Sequence, residues 1–275
     1  MYTNITTQAS ELLKLATIYN ESTTTSSKTK VIAITSGKGG VGKSTITANI
    51  AYLLSLYGKK VVVLDADLGL ANMQILFNIK PIATLYDYIE NALPLKDVIL
   101  ETQYKNISLC AGKSGYQFGQ NTSSFVYSRI VKDIVLLDYY DILLIDTGAG
   151  LNEYVQEFLS VSDEILAITT TDPSALTDVY ALIKMISSTK KKLFLLFNQT
   201  PNYKMGDSIT LSLRELAIKN KLNKYFMVKY IGNLANDVNI STTSRLRKLF
   251  VKEFESSASS LDLNNIVNNL IKEIM

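Results

Sequence analysis

The stretch at residues 31–44 limits the fold of this 275-residue chain more than any other feature. It opens with the apolar run Val-Ile-Ala-Ile, which is typical of a strand buried on both faces of a parallel sheet. A glycine-rich turn follows at once, and apolar residues at helical spacing come after the turn. Strand, turn and helix in this order predict an α/β fold with a mostly parallel, twisted sheet and helices on both faces.

The turn carries a phosphate-binding motif, the signature of a P-loop NTPase. Its pattern is G-x-x-x-x-G-K-[ST], and the fixed positions are filled by Gly37, Gly42, Lys43 and Ser44. Gly39 and Gly40 let the backbone curl, so that successive N–H groups can point at one anion beside the positive end of the helix dipole. We expect Lys43 to reach the β- and γ-phosphates and the Ser44 hydroxyl to bind Mg²⁺. A flexible surface turn is the alternative, but it would not need the flanking strand and helix.

Acidic residues stand at the ends of two further apolar runs. Asp65 and Asp67 follow one run, and Asp146 follows the other. Because the carboxyl ends of parallel strands meet at one edge of the sheet, these carboxylates should lie beside the phosphate loop. Asp146 has the position of a Walker B residue, next to Mg²⁺. Gly148 and Gly150 behind it permit a loop that swings toward a γ-phosphate.

Alternating strand and helix patterns continue to the end of the chain. Further strands are predicted at 107–111, 164–169, 193–197 and 227–231. Helices are predicted at 124–137, 174–187 and 261–275, and a peripheral helical stretch at 84–100. Asn198 follows one of these strands, where its amide could recognise an adenine edge or form an ordinary turn.

The composition excludes several classes of function. The chain has no histidine and one cysteine, Cys110. Ser-His-Asp and Cys-His catalysis, histidine-based metal sites and a disulfide framework are therefore excluded. The net charge of +3 does not indicate strong nonspecific nucleic-acid binding. Since no apolar run approaches the ~18 residues of a membrane span and no signal peptide is evident, we expect a cytoplasmic protein.

The two ends of the chain are candidates for contacts outside the core. Residues 1–20 form an amphipathic helical pattern, and the polar run at 21–30 predicts a linker to a domain at 31–275. The first segment could dock on its own domain or in a partner's groove. The last predicted helix has an apolar face, but Lys272 is its only cation, which suits anionic lipid poorly. We therefore favour core packing for it, with peripheral attachment at the inner face of the cell membrane as the alternative.

Three motifs together resemble a known family. The loop GKGGVGKS with its extra lysine, Lys38, the segment DADLGLAN and the segment IDTGAG are similar to those of the deviant Walker A ATPases of the MinD and ParA group. The form of the second motif, the run TDPSALTDVYALIK and a helical N-terminal extension resemble the FlhG-like (FleN/YlxH) branch. This resemblance implies a slow ATPase that dimerises on ATP, separates after hydrolysis, and regulates flagellar number or placement.

The resemblance also assigns roles to residues. It implies that Lys38, Lys43 and Asp67 are catalytic: Lys38 reaches the partner subunit's phosphates, and Asp67 positions the attacking water. It implies ATP or ADP with Mg²⁺ as ligands, the metal being supported by Ser44, Asp65 and Asp146. The nucleotide-binding set that it implies is Gly37, Gly39, Gly40, Val41, Gly42, Lys43, Ser44, Thr45, Asn72, Gly148 and Asn198.

A partner follows from the same resemblance. FlhG-like proteins carry an N-terminal motif that stimulates a signal-recognition-type GTPase, FlhF. This chain keeps Gln8, Ala9 and Leu12 of that motif, but it has Thr7 at the acidic position and Leu13 at the basic one. Partner stimulation through this segment is thus an expectation with two altered positions.

Three rival functions share some of these features. A ParA-like DNA partition ATPase would need a basic surface, for which the candidate cluster is Arg245, Arg247 and Lys248. A solvated helix face is the simpler interpretation of that cluster. A metal-cluster carrier of the same superfamily needs paired cysteines, and the chain has one. A scaffold that binds nucleotide without hydrolysis would fit the tail and the linker equally well.

Overall fold

The computed structural model describes residues 28–67, 71–113, 125–201 and 205–274. The predicted helix at 1–20 and most of the predicted linker lie outside the described residues. Thr29 is already buried, and the first strand begins at Lys30, so the sheet starts one residue earlier than the predicted domain boundary at 31.

An eight-stranded sheet forms the centre of the molecule. Its strands are β1 (Lys30–Ser36), β2 (Val61–Ala66), β3 (Ile99–Glu101), β4 (Ile107–Cys110), β5 (Ile142–Ala149), β6 (Glu164–Thr169), β7 (Lys192–Thr200) and β8 (Met227–Ala235). Their order across the sheet is β3-β4-β2-β5-β1-β6-β7-β8. The β3–β4 pair is antiparallel and the other pairs are parallel, which confirms the predicted fold class.

Helices cover both faces of the sheet. Within the described residues they are α1 (Lys43–Leu56), α2 (Met73–Leu76), α3 (Leu85–Glu90), α4 (Leu95–Val98), α5 (Phe125–Leu136), α6 (Glu153–Val161), α7 (Pro173–Ile186), α8 (Met205–Lys219), α9 (Val238–Arg245), α10 (Phe250–Glu253) and α11 (Ala258–Ile274). In β1, Ile32 and Ile34 pack toward α1 and α11, while Val31 and Ala33 pack toward the helices of the opposite face. Because both faces are buried, the central strands are apolar throughout rather than alternating.

The C-terminal helix belongs to the core. Leu263, Val267 and Leu270 of α11 are fully buried in the same cluster as α1. Gly232 in β8 lies directly under Ile266, where an added Cβ would come within 2.4 Å of that side chain. The prediction that this helix packs on the sheet is therefore confirmed. Among the described helices we find none whose length and hydropathy would suit a membrane crossing.

The prediction of one helical stretch at 84–100 is wrong in part. The segment forms two short helices, α3 and α4, and then the edge strand β3. Thr84 and Asp87 form a capping box that starts α3, and Ala92 has a positive φ of 52° that ends the helical path before Pro94. The edge strand depends on pairing with β4, a contact that the periodicity of a local segment cannot reveal.

Candidate active site

The phosphate loop joins β1 to α1 at the carboxyl edge of the sheet. Gly40 and Gly42 have φ values of 80° and 90°, which disfavour residues with a side chain. Gly37 packs on α7, where an added Cβ would lie 2.2 Å from the Cβ of Asp178. Helix α1 starts at Lys43 with no capping side chain and no acidic residue in its first turn. Its N-terminal N–H groups are therefore available for an anion.

Lys43 is buried beneath this loop in an ion pair. Its Nζ lies 2.8 Å from Oδ1 of Asp146, and the two side chains are 7% and 1% exposed. Thr47 also donates its hydroxyl hydrogen to this Oδ1, over 3.0 Å. A buried charge pair of this kind is maintained only when both members are present, so the loop and the end of β5 form one unit.

Four oxygen atoms at this edge are buried without a hydrogen-bond partner among the described residues: Thr35 Oγ1, Ser36 Oγ, Asp146 Oδ2 and Asn198 Oδ1. A buried polar atom without a partner is costly, so these atoms mark where a ligand completes the site. Carboxylate and hydroxyl oxygens suit Mg²⁺, and the donors present fit that ion. Within the described ranges, no group of three or more acidic or cysteine side chains lies close enough together to hold a metal ion.

Asp65 lies beside Asp146, since these residues are paired in the register of β2 and β5. Its carboxylate accepts hydrogen bonds from the N–H of Met73 at 3.0 Å and of Asp67 at 3.4 Å. Complete burial, and then the neighbouring Asp146, raise the pKa of Asp65 to about 7, although Lys43 and the two N–H groups oppose this change. Lys43 therefore acts on both carboxylates, as the ion-pair partner of Asp146 and as a nearby charge that lowers the pKa of Asp65.

Two of the predicted site residues lie at the outer edge of this site, away from the buried ion pair. Asp67 is half-buried where β2 ends, and Asn72 is exposed at the position before α2. The Asp67 N–H donates to Oδ1 of Asp65 over 3.4 Å, which holds the start of this segment against β2. Both stay predictions as site residues.

The segment after Asp146 differs from its predicted loop. Strand β5 continues to Ala149, so Gly148 is a buried strand residue. A Cβ at Gly148 would lie 2.6 Å from the Tyr154 hydroxyl, which explains the glycine. The turn itself is made by Gly150, with φ 86°, and its N–H donates to the carbonyl of Ser36 over 2.9 Å. The prediction of a loop that contains both glycines is wrong because the strand pairing with β1 extends further than the apolar run.

Asn198 is not a turn residue, because β7 continues through it to Thr200. Its Nδ2 donates to the carbonyl of Val41 over 2.8 Å, and the same atom would lie 2.5 Å from a Cβ at Gly42. The amide thus anchors the phosphate loop and keeps its oxygen as an acceptor. The turn alternative for this residue is therefore wrong, and recognition of a base edge stays a prediction.

A cavity of about 300 Å³ opens beside Asn198 and the start of α1. Its lining includes Gly42 and Thr45, which were predicted, and also residues that sequence reasoning missed: Gln199, Asn236, Asp237, Ser241, Ser244 and Arg245. Most of these follow β8 or belong to α9. The strand order puts β8 beside β7. A sequence analysis that had paired these two strands would have placed the residues after β8 next to Asn198.

The basic cluster that a DNA-binding function would need is divided. Arg245 lines the cavity, whereas Lys248 pairs with Glu253 over 2.8 Å. Arg247 lies between them with a positive φ of 57°. All three side chains are exposed, but α9 ends at Arg245, so the expectation that the cluster lies on one solvated helix face is wrong for Arg247 and Lys248.

Comparison with known proteins identifies the family of this chain. The family described as "AAA domain" matches residues 29–199. The chain is 36% identical over 270 residues to the flagellum site-determining protein YlxH of Helicobacter pylori, an alignment that covers 97% of this chain and 91% of that protein. The chain belongs to the YlxH family of MinD/ParA-type ATPases.

Other members and neighbours support this family. The antiactivator FleN of Pseudomonas aeruginosa is 30% identical over 238 residues, covering 84% of this chain and 82% of FleN. The cell division ATPase MinD of Pyrococcus furiosus has the same fold, with a TM-score of 0.76 at 23% identity, covering 89% of this chain and 99% of MinD. MinD of Pyrococcus horikoshii, solved in complex with Mg-ADP, gives the same TM-score and identity over 89% of this chain and 97% of that chain.

Proposed function

We propose that this chain is a Mg²⁺-dependent ATPase switch of the YlxH type, which dimerises on ATP, becomes monomeric after hydrolysis, and regulates flagellar number or placement. The observation that carries the proposal is the buried Lys43–Asp146 pair under a glycine loop whose helix end is open to an anion. The name of YlxH, a flagellum site-determining protein, supplies the flagellar process, and the Mg-ADP complex of the Pyrococcus horikoshii MinD supplies the ligand class.

Different residues around the phosphate loop bind different parts of the nucleotide. The N–H groups of the loop and of the first turn of α1 bind the phosphates, and Lys43 exchanges Asp146 for a phosphate oxygen. This exchange leaves Asp146 free to act with Ser44 and Asp65 as the residues that would hold Mg²⁺. When bound, the ion neutralises charge on the phosphate oxygens. In the cavity, Asn198 accepts from a base amino group, such as the exocyclic amine of adenine.

Hydrolysis and dimerisation are assigned to the rim of the site. Asp67 orients the attacking water, and Asn72 lies near the γ-phosphate. Lys38 of one subunit adds positive charge at the γ-phosphate of the other, so that the nucleotide joins two copies of the chain. The turn at Gly150, held to β1 by one hydrogen bond, moves when the γ-phosphate leaves.

The proposed partner contact concerns residues outside the described part of the chain. We propose that the segment at 1–20 binds a signal-recognition-type GTPase of the FlhF kind, with Gln8 as its retained motif residue. The protein is proposed to act in the cytoplasm. Peripheral membrane attachment is not favoured, because the apolar side of α11 is buried in the core.

The experiment compares the mass of the chain in ADP with its mass in a nonhydrolysable ATP analogue by light scattering, with Mg²⁺ present. We expect a monomer with ADP and a dimer with the analogue. The Asp67→Ala variant should bind ATP, stay dimeric in ATP itself, and release phosphate at least about tenfold more slowly, because a positioned group contributes roughly 10²–10⁴-fold to such reactions.

Asp97→Ala serves as the matched control, since Asp97 is an exposed aspartate on α4. This control should dimerise and hydrolyse like the wild type. The same mass in both nucleotides would refute the switch. Normal phosphate release by Asp67→Ala would exclude Asp67 from catalysis, and no release by the wild type with its partner would favour the scaffold.

A further inference from the structure

Three large apolar side chains lie exposed where α5 ends. Leu136, Leu137 and Tyr139 are 48%, 41% and 56% exposed. Asp138, which stands among them, has a positive φ of 46° and turns the chain out of the helix. A single exposed apolar residue is ordinary, whereas a group of neighbours marks a surface for interaction. We call these three side chains the Tyr139 surface.

A cavity of about 250 Å³ adjoins the Tyr139 surface at the amino edge of the sheet. The rings of Tyr139 and Tyr140 line it, with their centroids 5.0 Å apart. Lys60 Nζ lies 4.1 Å from the centroid of the Tyr139 ring, a cation–π contact that holds this ring in place. The Tyr139 surface therefore has exposed apolar side chains with a cavity beside them, which suits the apolar face of an amphipathic helix.

The described chain begins directly beside this surface. The hydroxyl of Thr29 donates to the carbonyl of Tyr140 over 2.7 Å, and the N–H of Lys30 donates to the carbonyl of Asp141 over 2.9 Å. Strands β1 and β5 are parallel, so both start at the amino edge of the sheet, away from the phosphate loop. Whatever precedes β1 in the chain is thereby tethered next to the Tyr139 surface.

The segment that precedes β1 carries a matching apolar pattern. At helical spacing, one face of residues 1–20 is formed by five apolar residues: Ile5, Ala9, Leu12, Leu13 and Ala16. A single helix of this length is only marginally stable in water, and packing of its apolar face supplies most of its stability. The predicted helix therefore needs an apolar surface to pack on.

The tether between the two is short. Residues 21–27 separate the predicted helix at 1–20 from the described chain, and so few residues span at most about 25 Å. A short tether of this kind gives the segment an effective concentration in roughly the millimolar range at a surface that it reaches. Even a weak contact with the Tyr139 surface is then largely occupied.

We propose that the segment at 1–20 docks on the Tyr139 surface of its own chain, with its apolar face against Leu137 and Tyr139. The docking does not depend on the proposed ATP-dependent dimer. It buries Ala9 and Leu12, which belong to the motif for the proposed GTPase partner, so docking and partner binding exclude each other. Only this last consequence rests on the proposed function.

The first test places an indole in the segment, because the chain has no tryptophan. In the nucleotide-free, full-length Leu13→Trp variant, we expect a blue-shifted emission maximum and weak quenching by acrylamide. Adding Leu137→Gln and Tyr139→Ser should shift the emission to the red and increase quenching. Loss of a large apolar contact weakens docking by about tenfold or more.

The matched control adds Leu211→Gln and Tyr225→Ser to the same Leu13→Trp background. Both residues are exposed, and Tyr225 also carries a lysine over its ring, since Lys224 Nζ lies 4.9 Å from the centroid. This control should leave the emission and the quenching unchanged. Dilution should also leave them unchanged, because docking within one chain does not depend on concentration.

The second test measures the surface instead of the segment. Leu137→Cys adds a thiol there, and Cys110 should not interfere, because burial raises the pKa of its thiol to about 12 and leaves it inaccessible. In the full-length chain, maleimide should react faster with the added thiol when Leu12→Asp is also present. Lys14→Asp, on the opposite side of the predicted helix, should leave the rate unchanged.

Three results would overturn the docking: an indole that is already exposed in Leu13→Trp, an equal change of emission in the matched control, or equal thiol reactivity with and without Leu12→Asp. A protected indole that becomes exposed on dilution would also overturn it, and would assign the segment to a second copy of the chain. The proposed switch would survive each of these results, because its own test is the mass of the chain in the two nucleotides.

Discussion

Asp65 provides the sharpest test of the electrostatics at the site, through the variant Asp65→Asn. Its carboxyl is fully buried, and burial together with Asp146 raises its pKa from the ordinary 3.8 to about 7. The folded chain therefore holds the Asp65 proton more tightly than the unfolded chain does. Its contribution to stability is complete below about pH 4 and is lost as the pH rises through about 7.

The expected change in the free energy of unfolding follows from the ordinary and the raised pKa of Asp65. The difference between a pKa of 3.8 and one of about 7 corresponds to roughly 4 kcal/mol. An asparagine cannot ionise, so the free energy of unfolding of Asp65→Asn, relative to the wild type, should rise by up to about that amount between pH 4 and pH 8. The variant also loses one carboxylate acceptor, at a cost of about 1 kcal/mol that does not depend on pH.

The assay is urea unfolding at several pH values in EDTA, followed by circular dichroism, since the chain has no tryptophan. Asp97→Asn, an exposed control, should show no such rise. A difference between Asp65→Asn and the wild type that stays flat from pH 4 to pH 8 would refute the reasoning. The stabilised variant should also bind Mg²⁺-nucleotide more weakly, because a site that holds ligands is rarely optimal for stability.

Two further predictions concern the phosphate loop and the last helix. Gly42→Ala should weaken ATP binding in calorimetry, because alanine at φ 90° costs about 1–2 kcal/mol and its Cβ would meet Asn198; Gly39→Ala, whose Cβ meets no described atom within 4 Å, should weaken it less. Leu263→Ala should lower the free energy of unfolding by about 2–5 kcal/mol, and Leu261→Ala, 54% exposed on the same helix, by less than about 0.5. Loss of liposome binding in Leu263→Ala without any loss of stability would contradict the core assignment of this helix.

The sequence by itself determined the chemistry of the loop and the strands that carry it. Glycines at fixed spacing, followed by Lys43 and Ser44, are a local requirement of a phosphate loop, and a local pattern is visible in the letters. The same holds for Asp65 and Asp146, because an apolar run that ends in a carboxylate predicts both the strand and the edge at which the carboxylate lies.

Only the tertiary structure decided which groups meet. Lys43 contacts a carboxylate 103 positions away, and the Asp172 and Ser174 side chains that accept from Lys38 Nζ are 134 and 136 positions from it. The burial of α11 and the part played by the loop after β8 depend on a strand order that is not the chain order. Periodicity reports only how a residue relates to its neighbours in sequence. Pairing between distant strands decides which side chains come into contact, and these contacts set the charge state and the position of each side chain.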